Sequence, residues 1–210
     1  KIITNFTKSL NTNVKKIIYF SSASVYGEDV SHKKKINENT DLYLKSYYGL
    51  SKFISEKILE KAAKELGIKL IIFRIPLVYG VGDSTKGYGP SDFINSFIDN
   101  RPITLWGKGD ENREFIYILD IVKLTYKFLN NKSEGIFNIV SGKSYTFFSI
   151  IKILNKIFSI NYKINYKKRT KKKVDHKFNN KKIIKVSNGY KFHTLEEGII
   201  KFIKSYEKRN

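Results

Sequence analysis

The sequence predicts an α/β fold organised around a parallel sheet, and three observations carry that expectation. Residues 15–20 and residues 69–73 are short, nearly continuous apolar runs rich in Ile and aromatics. They lack the polar alternation of a half-exposed strand, so they read as strands buried on both faces. Between them, Leu50, Phe53, Ile54, Ile58 and Leu59 recur at helical spacing within residues 46–66, and Gly67 stands where a helix C-cap belongs. Strand, helix, strand in that order is the crossover unit of a parallel sheet.

The later elements follow in turn. Residues 80–90 hold Gly80, Gly82, Gly87 and Gly89, which predicts a loop and a candidate domain boundary. Residues 91–99 read as a helix that starts after Pro90 with Asp92 in its first turn. Residues 115–118 read as a short strand, and 120–130 as a helix with Asp120 at the N-cap position. A strand at 136–140, an amphipathic helix at 146–158 and an edge strand at 162–166 come next. Residues 195–206 read as a terminal helix, with Thr194 as N-cap and Glu197 three positions on, a capping-box pattern. No internal repeat is visible.

A chain of 210 residues, 41% of them hydrophobic, is long enough for one or two domains with a substantial core. It has no cysteine, which excludes disulfides and thiolate metal sites. His32, His176 and His193 are scattered without metal-ligand spacing, so no metal is expected. No run approaches the ~18 apolar residues of a membrane span, and residues 1–10 lack the pattern of a secretion signal. The default expectation is a soluble, cytoplasmic protein with no membrane partner. Methionine is also absent, and Lys1 reads as the interior of a longer gene product.

The formal net charge is +21. A charge of that size raises nucleic-acid binding, but compositional bias is the better account. Lysine is spread over strands, helices and loops alike, and it dominates arginine, whose planar fork phosphate-reading proteins often favour. Nucleic acid is therefore not expected as a partner. Within residues 162–191, Asp175 is the only acid. A solvated surface is the favoured reading of that stretch; a mobile loop or a face toward an anionic ligand stays open.

Two clusters carry chemistry. Ser21, Ser22 and Ser24 lie in residues 21–27, a loop at the carboxyl end of the first predicted strand, where ligands of parallel sheets bind. A turn-forming role is the plainer reading of such serines. Tyr48 and Lys52 stand four apart on the predicted helix and share one face. An ammonium beside a phenol stabilises the phenolate and makes it a usable general acid/base. With 14 tyrosines in the chain, the pair alone carries little weight. Its weight comes from the serine loop before it and the strand after it.

Taken together, Phe20-Ser-Ser-Ala-Ser-Val-Tyr-Gly27, Ser46-Tyr-Tyr-Gly-Leu-Ser-Lys52 and Arg74-Ile-Pro-Leu-Val-Tyr-Gly-Val-Gly82 resemble the extended short-chain dehydrogenase/reductase family of nucleotide-sugar epimerases, dehydratases and ketoreductases. The likeness continues through residues 107–117, Asp120, residues 137–142, Gly189-Tyr190 and residues 195–198. This resemblance implies an α/β fold in which residues 1–80 are the later part of a Rossmann-type NAD(P)-binding domain. Residues 81–210 would form mainly a smaller α/β substrate domain. It implies NAD as cofactor, with NADP left open, and a nucleotide-sugar substrate, UDP-linked. Tyr48 would be the acid/base at the sugar C4 hydroxyl, Ser22 would share its proton and bind substrate, and Lys52 would hold the nicotinamide ribose. The backbone near Ile75 would lie against the nicotinamide. Arg113 matches the family arginine on the substrate diphosphate, Arg169 falls at a second such position by its spacing before Asn180 and Gly189, and Trp106 matches an aromatic beside the nucleobase. For each arginine the plainer reading is a surface salt bridge, and for Trp106 core packing. A homodimer through the Tyr48–Lys52 helix is carried over as an open expectation.

Three departures bound this reading. Ala23 and Ser24 stand where 4,6-dehydratases carry Asp-Glu, which argues against a dehydratase. Leu77 replaces a family asparagine that touches substrate. The family's Gly-x-x-Gly-x-x-Gly phosphate cradle is missing, so the chain is expected to be a fragment lacking the first strands, inactive by itself. The leading expectation is a UDP-glucose 4-epimerase-like enzyme working through a transient 4-keto sugar. The runner-up is an NAD(P)H-dependent 4-keto-sugar reductase, and both would suit polysaccharide biosynthesis. A reading of another class is an inactive or repurposed basic fragment that binds nucleic acid through residues 163–191. It predicts affinity that falls steeply with salt, and no base-reading motif accompanies it.

Overall fold

The computed structural model describes residues 2–83, 86 and 89–207. A short helix, α1 (Ile2–Ser9), leads into β1 (Lys16–Ser22), a 3-10 turn (Ala23–Tyr26), α2 (Tyr47–Leu66) and β2 (Lys69–Ile75). The 20-residue α2 starts where the Ser46 hydroxyl accepts the Gly49 N–H at 3.0 Å. It stops at Gly67, whose left-handed φ of 64° lets its N–H turn back to the last carbonyls.

Pro76 ends β2 because it has no N–H to give the ladder, and β3 (Leu77–Tyr79) leaves in a new pairing. Then come α3 (Gly89–Ile98), β4 (Ile103–Trp106), β5 (Asn112–Arg113), β6 (Phe115–Tyr117), α4 (Ile118–Leu129), β7 (Gly135–Asn138), β8 (Tyr145–Thr146), α5 (Phe147–Phe158), β9 (Ile164–Lys167), α6 (Lys181–Val186) and α7 (Leu195–Glu207).

The main sheet is parallel, in the order β1-β2-β7, with Ser22 beside Ile75 and Arg74 beside Asn138. Its central strand, β2, is apolar on both faces because both are covered. Leu70 and Ile72 pack with Leu59 and Ala63 of α2. Ile71 and Phe73, pointing the other way, pack with Ile121, Leu124 and Phe128 of α4 and Ile183 of α6. β3 pairs in parallel with β6, and β4 with β9, while β5 and β8 are antiparallel. A separate core under β3 and β6 joins α3, α5 and α7 through Phe93, Ile94, Ile150, Leu154 and Ile199.

Several expected elements shift. Ser21 and Ser22 belong to β1 rather than to the loop, and residues 23–26 form a turn of 3-10 helix. Asp120 is not an N-cap. The helix begins two residues earlier, straight out of β6, and the Asp120 carboxylate accepts hydrogen bonds from the Tyr190 hydroxyl and the His193 ring, each at 2.7 Å. The expected edge strand 162–166 is β9, displaced to Ile164–Lys167 by its pairing with β4. The capping box holds: the Glu197 carboxylate accepts from the Thr194 N–H at 2.7 Å, and the Thr194 hydroxyl accepts from the Glu197 N–H at 3.2 Å. Within the predicted 80–90 loop, Gly87 lies outside the described residues, and Gly89 and Pro90 already belong to α3.

Candidate functional site

Parallel pairing brings Ser22 and Ile75 side by side at the carboxyl ends of β1 and β2. The Ser22 hydroxyl oxygen accepts the Ser24 N–H at 3.1 Å and so caps the 3-10 turn. That bond occupies the oxygen and leaves the hydroxyl proton as a donor. Helix α2 approaches this turn closely at Gly49: a Cβ there would sit 2.8 Å from the Ser24 carbonyl oxygen. A bare backbone at this one position lets Tyr48 stand against the serine turn.

Tyr48 and Lys52 do share a helix face. The Lys52 ammonium lies 5.7 Å from the centre of the Tyr48 ring and donates to the Phe20 carbonyl at 2.9 Å. Partial burial lowers the Lys52 pKa below the usual lysine value. One turn further along, Glu56 is fully buried and forms a two-pronged ion pair with Arg74, at 3.1 and 2.7 Å. Glu56 also accepts from the Ser21 hydroxyl, and Arg74 donates to the Tyr26 hydroxyl at 3.1 Å, which in turn donates to Asn138 at 2.8 Å. This buried network ties β1, the 3-10 turn, α2, β2 and β7 together behind Ser22, Tyr48 and Lys52.

Ser22, Tyr48 and Arg113 line one cavity of about 850 Å³. Ser24, Glu28, Leu77, Glu114, Phe147 and His176 are among its other walls. Leu77, at the position where the resemblance expects an asparagine, contributes an apolar wall. Burial lowers the His176 pKa to about 4, with Arg113 adding to the effect, so that ring is neutral at physiological pH. Glu114 is 1% exposed; its Oε1 accepts from the Ser141 hydroxyl at 2.8 Å and the Gly142 N–H at 2.7 Å. Burial raises its pKa to about 7 against those bonds.

Trp106 and Arg169 do not reach this cavity. They line a neighbouring one of about 330 Å³, with Glu111, Leu105 and Phe147, and Phe147 is common to both. Trp106 is half-exposed, not packed in a core, and Lys167 stands over its ring at 5.7 Å. Glu111 joins the two arginines, with Oε2 3.3 Å from Arg113 Nη2 and Oε1 paired with Arg169 Nη1. Lys52 and Ile75 are not among the cavity walls; they sit beside Tyr48 and Ser22 respectively. The sequence reading passed over Glu56, Glu111 and Glu114. The signal for Glu56 was available, since a charged Arg74 inside a buried strand requires a buried partner. No group of three or more potential metal ligands occurs among the described residues, and none of the described helices is long and apolar enough to cross a membrane.

The chain is similar to known proteins. The family model described as the NAD dependent epimerase/dehydratase family matches residues 4–140. A putative UDP-glucose 4-epimerase of Methanocaldococcus jannaschii is 34% identical over 146 residues, covering 67% of this chain and 47% of that protein. A dTDP-4-dehydro-6-deoxyglucose reductase of Escherichia coli is 37% identical over 155 residues, covering 71% and 48%. The chain therefore spans about half the length of these curated relatives. Among solved structures, the UDP-glucuronic acid 4-epimerase of Bacillus cereus, in complex with UDP-glucuronic acid and NAD, superposes with a TM-score of 0.85 at 22% identity. That match covers 100% of this chain and 67% of that one. The UDP-glucose 4-epimerase of Thermotoga maritima with UDP-glucose gives a TM-score of 0.83 at 25% identity, covering 99% and 67%.

Proposed function

The chain belongs to the NAD-dependent epimerase/dehydratase family, and from that premise we propose that it carries the catalytic face of a nucleotide-sugar enzyme acting at sugar C4, a UDP-sugar 4-epimerase. The observation that carries this reading is the convergence of Ser22, Tyr48 and Arg113 on one cavity at the carboxyl end of the parallel sheet.

Each residue has a definite task in this reading. The Ser22 oxygen is held by the Ser24 N–H, so its proton points to a ligand oxygen and couples the sugar hydroxyl to Tyr48. As phenolate, Tyr48 takes the proton of the sugar C4 hydroxyl, and as the resulting phenol it returns it. Lys52, anchored by the Phe20 carbonyl, holds its ammonium 5.7 Å from the centre of the Tyr48 ring. Arg113 meets the diphosphate. Ala23 and Ser24 offer no acid or base for loss of water from the sugar.

The residues present fit one end of the family's cofactor. The Phe20 carbonyl takes one of the three donor directions of Lys52, leaving donors for ribose hydroxyls, and Ile75 lies level with Ser22. The sequence contains no Gly-x-x-Gly-x-x-Gly cradle for the pyrophosphate. Held at Lys52 and beside Ile75, NAD would supply a reversible hydride acceptor for sugar C4.

The test is made on the gene product that carries this chain, incubated with UDP-glucose and NAD and followed by proton NMR. UDP-galactose is expected to appear, and Tyr48→Phe is expected to slow its appearance by at least about 10²-fold. Undiminished turnover in that variant would sink the assignment. The reductase relative, at 37% identity, favours a second reading as a 4-keto-sugar reductase. Stoichiometric consumption of NADH with a 4-keto sugar, and no interconversion of the epimers, would select it.

A further inference from the structure

We infer that Glu111 is an internal counter-anion for the substrate's diphosphate: it holds Arg113 and Arg169 while the site is empty and releases them when phosphate enters. This rests on the proposed reading of both arginines as diphosphate ligands.

Glu111 stands at the junction of the two cavities. Its Oε2 lies 3.3 Å from Arg113 Nη2, and Arg113 lines the larger cavity. Its Oε1 is paired with Arg169 Nη1, and both residues line the smaller one. One carboxylate thus bridges two guanidiniums that face different cavities. The two cations feel each other: burial lowers the Arg113 pKa, Glu111 and then Asp175 raise it, and Arg169 lowers it further. A single negative charge between them relieves that repulsion in the empty site.

The geometry favours exchange over permanent structure. The Arg113–Glu111 contact is single and long, and Glu111 is partly exposed. Arg113 keeps other partners without it, donating to the Asn112 carbonyl at 3.0 Å and to the Val174 carbonyl. Arg169 keeps Asp110 at 2.9 Å. Asp110 and Asp175 both approach Lys173, and Asp175 accepts the Asn112 N–H at 2.7 Å, so the surrounding loops keep these ties besides the Val174 N–H, which donates to Glu111 at 3.4 Å. A diphosphate bridging the two arginines carries more charge than one carboxylate and offers acceptors to both forks. It must displace Glu111, and the displaced carboxylate stays nearby and repels it. Glu111 therefore weakens binding of the anion while keeping its arginines in place, which favours product release.

Calorimetric titration with UDP and with uridine separates the outcomes. Glu111→Gln keeps the shape of the bridge and removes the charge; it is expected to bind UDP about tenfold tighter, the effect of removing one like charge at roughly 6 Å in a partly solvated site. Its affinity for uridine, which has no phosphate, is expected to stay unchanged. Arg113→Ala is expected to bind UDP more weakly than the parent. UDP affinity unchanged or lowered in Glu111→Gln, with Arg113→Ala still weakening it, overturns the inference and leaves the diphosphate reading standing. Loss of nothing in Arg113→Ala, or no UDP binding by any form, removes the reading and the inference with it. The release is also read without a substitution, from the carboxyl carbon resonance of Glu111 in the parent protein as inorganic pyrophosphate is added. It is expected to move in step with the guanidinium signals of Arg113 and Arg169. A Glu111 signal that stays still while the arginines titrate overturns the inference.

Discussion

Two carboxylate–arginine clusters stand near the proposed site, one beside Ser21 and one at Arg113, and they differ in burial rather than in chemistry. Behind the site, Glu56 and Arg74 have side chains 0% and 3% exposed, and each of the three guanidinium nitrogens donates to a protein acceptor. At the mouth, Glu111, Arg113 and Arg169 are 20%, 16% and 21% exposed and share contacts one by one. Burial alone would lower the Arg74 pKa, but the Glu56 and Tyr26 contacts outweigh it and hold the cation well above the usual arginine value. A pair that has left water must stay made, because either partner alone would be a buried charge. A pair still in reach of water can trade its partner for a ligand.

The largest expected effect breaks the comparison at its buried side. Glu56→Gln leaves Arg74 without its counter-charge and is expected to cost about 3–5 kcal/mol of folding stability, read from urea denaturation. Glu111→Gln is expected to cost no more than ~1 kcal/mol in the same assay. Equal losses at the two positions would show that burial does not separate them. Replacing Glu56 and Arg74 together by apolar residues of similar size sharpens the point: the double variant is expected to recover much of what the single one loses.

Glu114 offers an intermediate case, buried like Glu56 yet bonded through Oε1 to the Ser141 hydroxyl and the Gly142 N–H rather than to a cation. Its folded pKa is raised from 4.5 to about 7, chiefly by burial. For an acid raised on folding, the folded state binds the extra proton, so the contribution to stability is full below about 4.5 and is lost as pH rises through about 7. The parent protein is expected to lose about 3 kcal/mol more than Glu114→Gln over that window, measured by denaturant midpoints at successive pH values. Parallel pH profiles for the two proteins would show that Glu114 ionises freely in the folded state.

Where the sequence was readable follows from the same distinction between local and distant determinants. β1, α2 and β2 were legible because periodicity, Ser46 and Gly67 are local signals, and the Tyr48–Lys52 face follows from helix geometry. The pairing of Ile103–Trp106 with Ile164–Lys167 was not legible. Both segments are four residues long, and each takes its strand conformation from a partner about 60 positions away. Asp120 was misplaced because a helix springing directly from a strand needs no polar cap, which freed that carboxylate for Tyr190 and His193. Glu111 gave no sequence signal, since its meaning depends on two arginines that stand 56 residues apart and meet only in the folded chain.

The smallest expected effect tests the comparison within one helix. Glu60 lies one turn beyond Glu56 on α2 and pairs with Lys57 at 2.7 Å, as short a contact as the buried Glu56–Arg74 one. Its partner is 53% exposed and Glu60 itself 36% exposed, so water competes for both charges. Glu60→Gln is expected to change stability by no more than ~0.5 kcal/mol and to lose even that at 1 M salt. Distance is thus matched between the two glutamates while burial differs. A loss at Glu60 approaching that at Glu56 would mean that contact geometry, not desolvation, decides what an ion pair contributes here, and the contrast between the back of the site and its mouth would then need another cause.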